Sequence, residues 1–468
     1  MQQSQSPGGV APTNTPHQTD GPIRSNDELL AHFHRGAKGP DSLRIGLEHE
    51  KIGMALGRDG SVRPLPYAAE PGEPQIRTLL EGLQGHGWQP VDEHGTVIAL
   101  KRNLASVTLE PGGQFELSGP PVRDELEAVA DLDAHLAELL PLAEKAGIAF
   151  IGCGFRPLGT WAEISWVPKG RYVIMRDYLP TRGQLGVEMM KRTATVQANL
   201  DYTSEEDAIL KMRVGLGVGP LVTAIYAASP LRDGQPCGYK SFRASCWLDT
   251  DPDRCGILPF MFREGASFRD YAEWALDVPM FFVYRNKRYT PAGGMTFRAF
   301  LRDGFQGEQA TLADWELHLS TLFPEARLKQ YVELRNADAG PLSYIRALPA
   351  LWRGLFYSQP ALEAAWNLVK HLDTDEREKL RREVPRQGMA TQLRTPGGGQ
   401  QELGAACAEL LSIAQGGLRA LGSSGGVELL EPLVAAVKDR RCPADDVLAA
   451  FEETGGDPRL FVERLRLK

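Results

Sequence analysis

Three short segments of this 468-residue chain set charged or amide side chains two positions apart in runs that are otherwise apolar or β-prone. They hold Glu48 and Glu50 in Ile45-Gly46-Leu47-Glu48-His49-Glu50-Lys51-Ile52, Gln197 and Asn199 in Thr195-Val196-Gln197-Ala198-Asn199-Leu200, and Glu333 and Arg335 in Tyr331-Val332-Glu333-Leu334-Arg335. A fourth segment brackets a turn, Pro111-Gly112-Gly113, with Glu110 and Glu116. Residues two apart on a strand share a face at roughly 7 Å, so Ile45 and Leu47 would face away from Glu48 and Glu50. Taken singly, each pair reads most simply as polar-out positions on a half-solvated strand. Taken together, they put several carboxylates on one concave sheet face, where they would repel one another and hold their protons unless cations neutralise them. Hard oxygen donors of this kind suit Mg²⁺, which commonly bridges carboxylates to nucleotide phosphates. An arginine alongside could stabilise charge on a transferring phosphoryl group. The pattern points to a sheet-borne Mg–ATP site.

The rest of the chain predicts the frame. A helix is expected over 26–35, strands over 44–54 and 97–101, the end of a helix over 79–87, and two strand pieces over 107–117. Leu126, Val129, Leu132, Leu136 and Leu139/Leu140 recur at helical spacing, predicting a helix from Arg123 to a stop at Gly147. Further strands are expected over 149–154, 193–200, 279–285 and 330–334. Thr203 with Glu206, or Ser204 with Asp207, resembles a capping box opening a helix toward Ala227. From Pro341 onward the pattern is mostly helical, with a Gly/Pro-rich loop near Pro396 to Gly399. Strands and helices alternate irregularly, so an α+β fold with a largely antiparallel sheet and flanking helices fits better than a doubly wound one. Residues 1–25 read as a disordered tail and 26–468 as a single catalytic domain, with 341–468 mostly helical.

Composition narrows the function classes. The net charge of −8 offers no global basic field for nucleic acid and no polybasic arm for anionic lipid. No apolar run approaches the roughly 20 residues that cross a bilayer. The first 25 residues show neither a secretory h-region nor an amphipathic transit pattern, from which a soluble, cytoplasmic protein is expected. The six cysteines contain no C-x-x-C pair, which disfavours zinc ribbons and a thioredoxin-like centre.

Other motifs fail. There is no G-x-x-x-x-G-K-[ST]. Gly215-Leu216-Gly217-Val218-Gly219-Pro220 and Gly152-Cys153-Gly154 both break the dinucleotide fingerprint, and the first reads as part of a helix. Gly422-Ser423-Ser424-Gly425-Gly426 matches G-x-S-x-G by chance in a loop between helical stretches. His49 belongs to no H-E-x-x-H, and Trp88, Trp161, Trp166, Trp315 and Trp352 read as packing residues.

At these same segments the chain resembles the glutamate–cysteine ligases of plants and proteobacteria, and more remotely the glutamine synthetase-like ligases. The phrases that carry the likeness are Gly170-Arg171-Tyr172-Val173-Ile174-Met175, Met190-Lys191-Arg192-Thr193-Ala194-Thr195-Val196-Gln197-Ala198-Asn199-Leu200-Asp201-Tyr202, Ala275-Leu276-Asp277-Val278-Pro279-Met280 and Gly294-Met295-Thr296-Phe297-Arg298. The resemblance implies a funnel-shaped antiparallel sheet of the glutamine synthetase-like kind. It implies two or three Mg²⁺ ions held by Glu48, Glu50, Glu110, Glu116 and Glu333, with ATP as co-substrate. It places Gln197 near a metal or the phosphoryl group, Arg335 and Lys191 at the nucleotide, and Arg243 among the catalytic residues. Arg171, Tyr172, Asn199, Arg243, Trp247 and Tyr284 are implied at the amino-acid substrates. The implied reaction joins the γ-carboxylate of L-glutamate to the amine of L-cysteine through γ-glutamyl phosphate, in a monomer or weak homodimer. A ligase of the same fold acting on another amine is the alternative, and a silent binding protein would not keep all five glutamates and Arg335.

The sequence departs from the plant pattern in one respect. Thr290-Pro291-Ala292-Gly293-Gly294 and Gly304-Phe305-Gln306-Gly307 contain no cysteine where plant members form a regulatory disulfide, and Ala194 stands where the plant sequence has a cysteine. Plant-style redox switching is therefore not expected.

Overall fold

A computed structural model describes residues 21–468. Its centre is a ten-stranded sheet in which every pairing is antiparallel. In chain order its strands are β1 (Ile45–Leu56), β2 (Val62–Pro64), β3 (Gln89–Glu93), β4 (Thr96–Arg102), β5 (Ala105–Leu109), β6 (Phe115–Ser118), β7 (Ile148–Ile151) and β8 (Thr195–Leu200). After a separate hairpin, β9 (Phe282–Arg285) and β10 (Arg288–Pro291), come β11 (Ala326–Leu328) and β12 (Val332–Asp338). The spatial order is β11-β12-β8-β1-β6-β5-β4-β3.

The long strand β1 organises this sheet. Its first half pairs with β6 on one side and β8 on the other, and from Ile52 onward it pairs with β7 and β2. Ile45, Leu47 and Ile52 are buried, as the alternation requires. The face they share is covered by helices, among them Glu125–Lys145 and Leu342–Phe356, which pack on β1, β7 and β8. Leu132, Leu136 and Leu139 of the first helix are buried there, whereas Leu126, one of the predicted stripe, is exposed. Lys51 also points to this covered face, fully buried, and its amine donates to the carbonyls of His49 and Phe115.

Helix Glu205–Gly217 opens with Ser204 accepting from the Asp207 amide, the second of the two capping options. The expected run to Ala227 is broken, because Pro220 cannot donate to the preceding turn. A second helix, Gly219–Tyr226, starts there, bent by 48° from the first. Among the described residues, no single helix is long and apolar enough to cross a membrane. Strand β3 was not expected, since Gln89-Pro90-Val91-Asp92-Glu93 carries little apolar alternation and sits at the sheet edge, where Pro is tolerated. The Gly/Pro-rich loop near Pro396 is the tip of a small hairpin, Gln392–Arg394 with Gln400–Glu402. Ser423 donates to Glu125 and caps a short helix, so its G-x-S-x-G surroundings are structural.

The expected tail needs a correction at its end. Residues 1–20 lie outside the described part, but Pro22 bridges Thr311 and the Ile23 amide donates to the Ala310 carbonyl at 2.9 Å. The Gly/Pro turn between β5 and β6 is anchored just as specifically. Gln114, buried, accepts from the Gly112 amide and donates to the carbonyls of Met190 and Thr193, fastening the turn to the start of β8.

We propose that residues 26–468 fold as one unit. Arg353 of the C-terminal helices donates at 2.6 Å to the buried carboxylate of Glu125 on the first long helix, which supports that reading. An added Cβ at Gly112 would lie 2.7 Å from backbone carbon atoms of Lys191, which cannot swing aside. Gly112→Ala should therefore lower a single cooperative melting transition, at a cost of about 1–3 kcal/mol. Two separated transitions in calorimetry, or an unshifted one in the variant, would contradict this.

Candidate active site

The sheet register assembles the uncovered face row by row. Glu50 on β1 pairs with Glu116 on β6, which pairs with Thr108 on β5. Glu48 pairs with Ser118 on one side and Gln197 on the other. Asn199 pairs with Glu333 on β12, which pairs with Arg327 on β11. Directly paired residues point the same way. Glutamates far apart in the chain thus meet on one surface.

That surface is a pocket lined by Glu48, Glu50, Glu110, Glu116, Glu333, Gln197 and Arg335, together with Arg171, Tyr172 and Tyr284. The hairpin β9–β10 walls one side through Phe282, Tyr284 and Tyr289. Of the residues expected at the site, these ten are brought together.

The carboxylates fall into two environments. Glu333 is fully buried and surrounded by cations: Arg327 Nη2 lies 2.6 Å from Oε2, Lys329 Nζ 3.0 Å from Oε1, and Arg335 Nη1 2.9 Å from Oε2. Burial alone would raise its pKa, but Arg327, Lys329 and Arg335 together hold it well below the usual carboxylate range. The same Arg335 Nη1 donates to Gln197 Oε1 at 2.8 Å.

Glu50 and Glu116 have no such company. Burial, then Glu110 and Glu116, push Glu50 well above its ordinary range, and only the Thr195 amide donates to it, at 2.9 Å. Burial, then Glu48 and Glu110, push Glu116 up to about 8, with Thr108 Oγ1 donating to it. Glu48 is raised by burial and by Glu333, against donors Gln197 Nε2 at 3.2 Å and Asn199 Nδ2 at 2.8 Å.

The donor set fits divalent cations. Clustered, desolvated carboxylates of raised pKa are what remains of a cation site when only protons are available to neutralise it. Among the described residues no three acidic, His or Cys side chains converge as a ready-made cage. That agrees with Mg²⁺ held by one or two carboxylates and completed by substrate phosphates and water.

Four expected residues stand elsewhere. Asn199 lies behind the lining as a donor to Glu48. Arg243, buried, donates to the Arg335 carbonyl at 2.9 Å and faces Asp338 at 3.8 Å. Trp247 lies with its ring 5.5 Å from the Arg335 guanidinium. Lys191 is turned away altogether: its amine donates to the Trp161 carbonyl at 2.7 Å and sits 4.6 Å over the Trp166 ring. A flexible side chain on a helix next to a recognisable motif is not thereby aimed at the site, and the nucleotide role expected of Lys191 is withdrawn.

Several lining residues were missed. Arg327 and Lys329 repeat the two-apart pattern and could have been found by it. Lys169 had no such signal. It is buried at the pocket wall, donating to the Leu109 carbonyl at 2.8 Å, and burial followed by Arg171 pushes it down to about 8. Glu93, on the unexpected β3, accepts from the Gly170 amide at 2.7 Å and fixes the helix that carries Arg171 and Tyr172.

Comparison with known proteins agrees with this geometry. The family profile "Glutamate-cysteine ligase family 2 (GCS2)" matches residues 44–463. The chain is 42% identical over 452 residues to glutamate–cysteine ligase B, chloroplastic, of rice, covering 95% of this chain and 88% of the relative. It is 45% identical over 374 residues to glutamate–cysteine ligase, chloroplastic, of Arabidopsis thaliana, covering 79% and 70%. The crystal structure of glutamate–cysteine ligase from Francisella tularensis in complex with AMP superposes with a TM-score of 0.56 at 13% identity, over 90% of this chain and 87% of that one, which bears on the fold alone. The relatives' chloroplastic names overturn the cytoplasmic location expected from the absence of targeting signals. With its funnel of paired glutamates and a family match that spans nearly the whole described chain, the protein belongs to the glutamate–cysteine ligase family 2.

Proposed function

We propose that the chain joins the γ-carboxylate of L-glutamate to the amine of L-cysteine at the expense of ATP, the first step of glutathione synthesis. The observation that carries this reading is the pocket itself. Five glutamates and a set of arginines and lysines face one another on a sheet, with no nucleophile among its lining residues suited to a covalent enzyme intermediate. A carboxylate is a poor acyl donor because oxide is a poor leaving group. Transfer of the ATP γ-phosphoryl group to a glutamate γ-oxygen gives a mixed anhydride, and the acceptor amine then displaces phosphate. Positioning and charge neutralisation carry such a transfer.

Roles follow from placement. Glu48, Glu50, Glu110, Glu116 and Glu333 would hold Mg²⁺, which when bound neutralises phosphate and carboxylate oxygens. Arg335, bonded to Gln197 and Glu333, is placed for the transferring phosphoryl group, with Gln197 beside it. Arg171, Tyr172 and Tyr284 form the end of the pocket opposite Arg335 and would receive the amino-acid substrates. Arg243, Trp247 and Asn199 act one step back: they fix the Arg335 backbone, flank its guanidinium and orient Glu48. The pocket is built from one chain, which supports a monomer or weak homodimer as the working unit.

Phosphate release should require Mg²⁺, ATP, glutamate and an acceptor, and be strongest with cysteine in a panel of amines. Glu48→Gln should abolish it in folded protein. Turnover only with another amine would keep the acyl phosphate and replace the acceptor. Failure with every acceptor would remove the ligase reading.

The raised carboxylates give a second outcome. A group whose folded pKa exceeds its unfolded value stabilises the fold below the unfolded pKa and ceases to do so as pH rises through the folded one. Metal-free protein should thus lose the Glu116 and Glu50 contributions on going from about pH 5 to about pH 8. Mg²⁺ replaces those protons, so its increment in melting temperature should grow from about pH 6 to about pH 8. Taking the difference with and without Mg²⁺ at each pH removes the opposing contributions of buried His49, His135 and Lys51, whose pKa values are depressed. A pH-independent Mg²⁺ increment would contradict the metal assignment.

A further inference from the structure

The funnel is electrically divided. At the β11–β12 corner three cations, Arg327, Lys329 and Arg335, converge on the single carboxylate of Glu333, with Glu48 as the next nearest acid. At the β5–β6 corner Glu50, Glu110 and Glu116 lie together, and the Lys169 amine there is spent on a backbone carbonyl. Arg327 is bound twice over, reaching both Glu333 oxygens at 2.8 and 2.6 Å. Glu333 is inaccessible, yet Arg327, Lys329 and Arg335 all line the pocket.

A buried carboxylate with three cations is over-neutralised, so the corner keeps a positive surplus that water reaches poorly. Such a surplus is stabilised by a multivalent anion. A triphosphate offers several oxygens with the spacing to engage forked guanidinium and ammonium donors at once.

We infer that Glu333 is a stand-in anion in the substrate-free protein, and that Arg327 and Lys329, with Arg335, are the cations a nucleotide's polyphosphate takes over from it. This rests on the reading that the funnel binds a nucleotide, and goes beyond it by naming Arg327 and Lys329 as phosphate-binding groups and Glu333 as their competitor. The exchange explains how one carboxylate can be both caged by cations and offered to Mg²⁺. Polyphosphate draws the cations away, and the freed Glu333 oxygens become available to a metal ion that bridges to the same phosphates. Nucleotide and metal should then each favour the other's binding.

The test is titration calorimetry on the full chain with inorganic tripolyphosphate and with ADP, in EDTA and in Mg²⁺. In EDTA, Glu333→Gln should bind tripolyphosphate at least about tenfold more tightly than the natural protein, because it leaves three cations without their competitor. Adding Lys329→Met to Glu333→Gln should remove most of that gain. Lys329→Met alone keeps Glu333 paired with two arginines and should fold. It should weaken Mg–ADP binding about tenfold while leaving glutamate KM within about twofold. Equal or weaker tripolyphosphate binding by folded Glu333→Gln, or unchanged Mg–ADP binding by Lys329→Met, would overturn the inference. Absence of any Mg–ADP binding by the natural protein would instead overturn the nucleotide reading on which it rests.

Discussion

Mutual repulsion among glutamates that the sheet register forces onto one face is the constraint around which this molecule is built. Antiparallel pairing sets Glu50 opposite Glu116 and Glu48 opposite Gln197, and burial removes the water that would screen them. The cost is met in three ways: by cations around Glu333, by amide donors on Glu48, and by retained protons on Glu50 and Glu116. Only the third can be exchanged for a metal ion without breaking a bond within the protein.

The helices matter to the site because they fix strand register. A slip of one residue on β1 would turn Glu48 and Glu50 into the covered face and Leu47 and His49 into the funnel. Packing of Leu132, Leu136 and Leu139 against β1 and β7 prevents this, and the Gln114 amide holds the Gly112 turn so that Glu110 and Glu116 enter from one side. Chain distant from the chemistry thereby sets distances within it.

How much of this was legible in the sequence follows from the range of each signal. Period-two alternation reports which side chains share a face, and it located β1, β8 and β12 with their acids, as well as the turn between β5 and β6. Combined with the family resemblance, it gave the fold class and the metal-facing set. It does not report where a long side chain ends. Lys191 adjoins the motif but folds back onto Trp161 and Trp166, and Arg243 and Trp247 support Arg335 from behind. Lys169 and Glu93 come from segments without regular alternation, and only tertiary contact reveals them. Arg327 and Lys329 carried the same signal as the pairs that were found, on a strand only three residues long, Ala326–Leu328. The break at Pro220 was readable from proline chemistry, and the docked Pro22 was not, because a single bridge leaves no periodicity.

Transfer of the phosphoryl group to the glutamate γ-carboxylate is the central claim, and an isotope experiment tests it most directly. Glutamate labelled with ¹⁸O in its γ-carboxylate is turned over with ATP, Mg²⁺ and cysteine, and the released phosphate is weighed by mass spectrometry. The bridging oxygen of the acyl phosphate leaves with phosphorus when the amine displaces it, so the account predicts one labelled oxygen in each phosphate. Phosphate without label, released together with γ-glutamylcysteine, would contradict it.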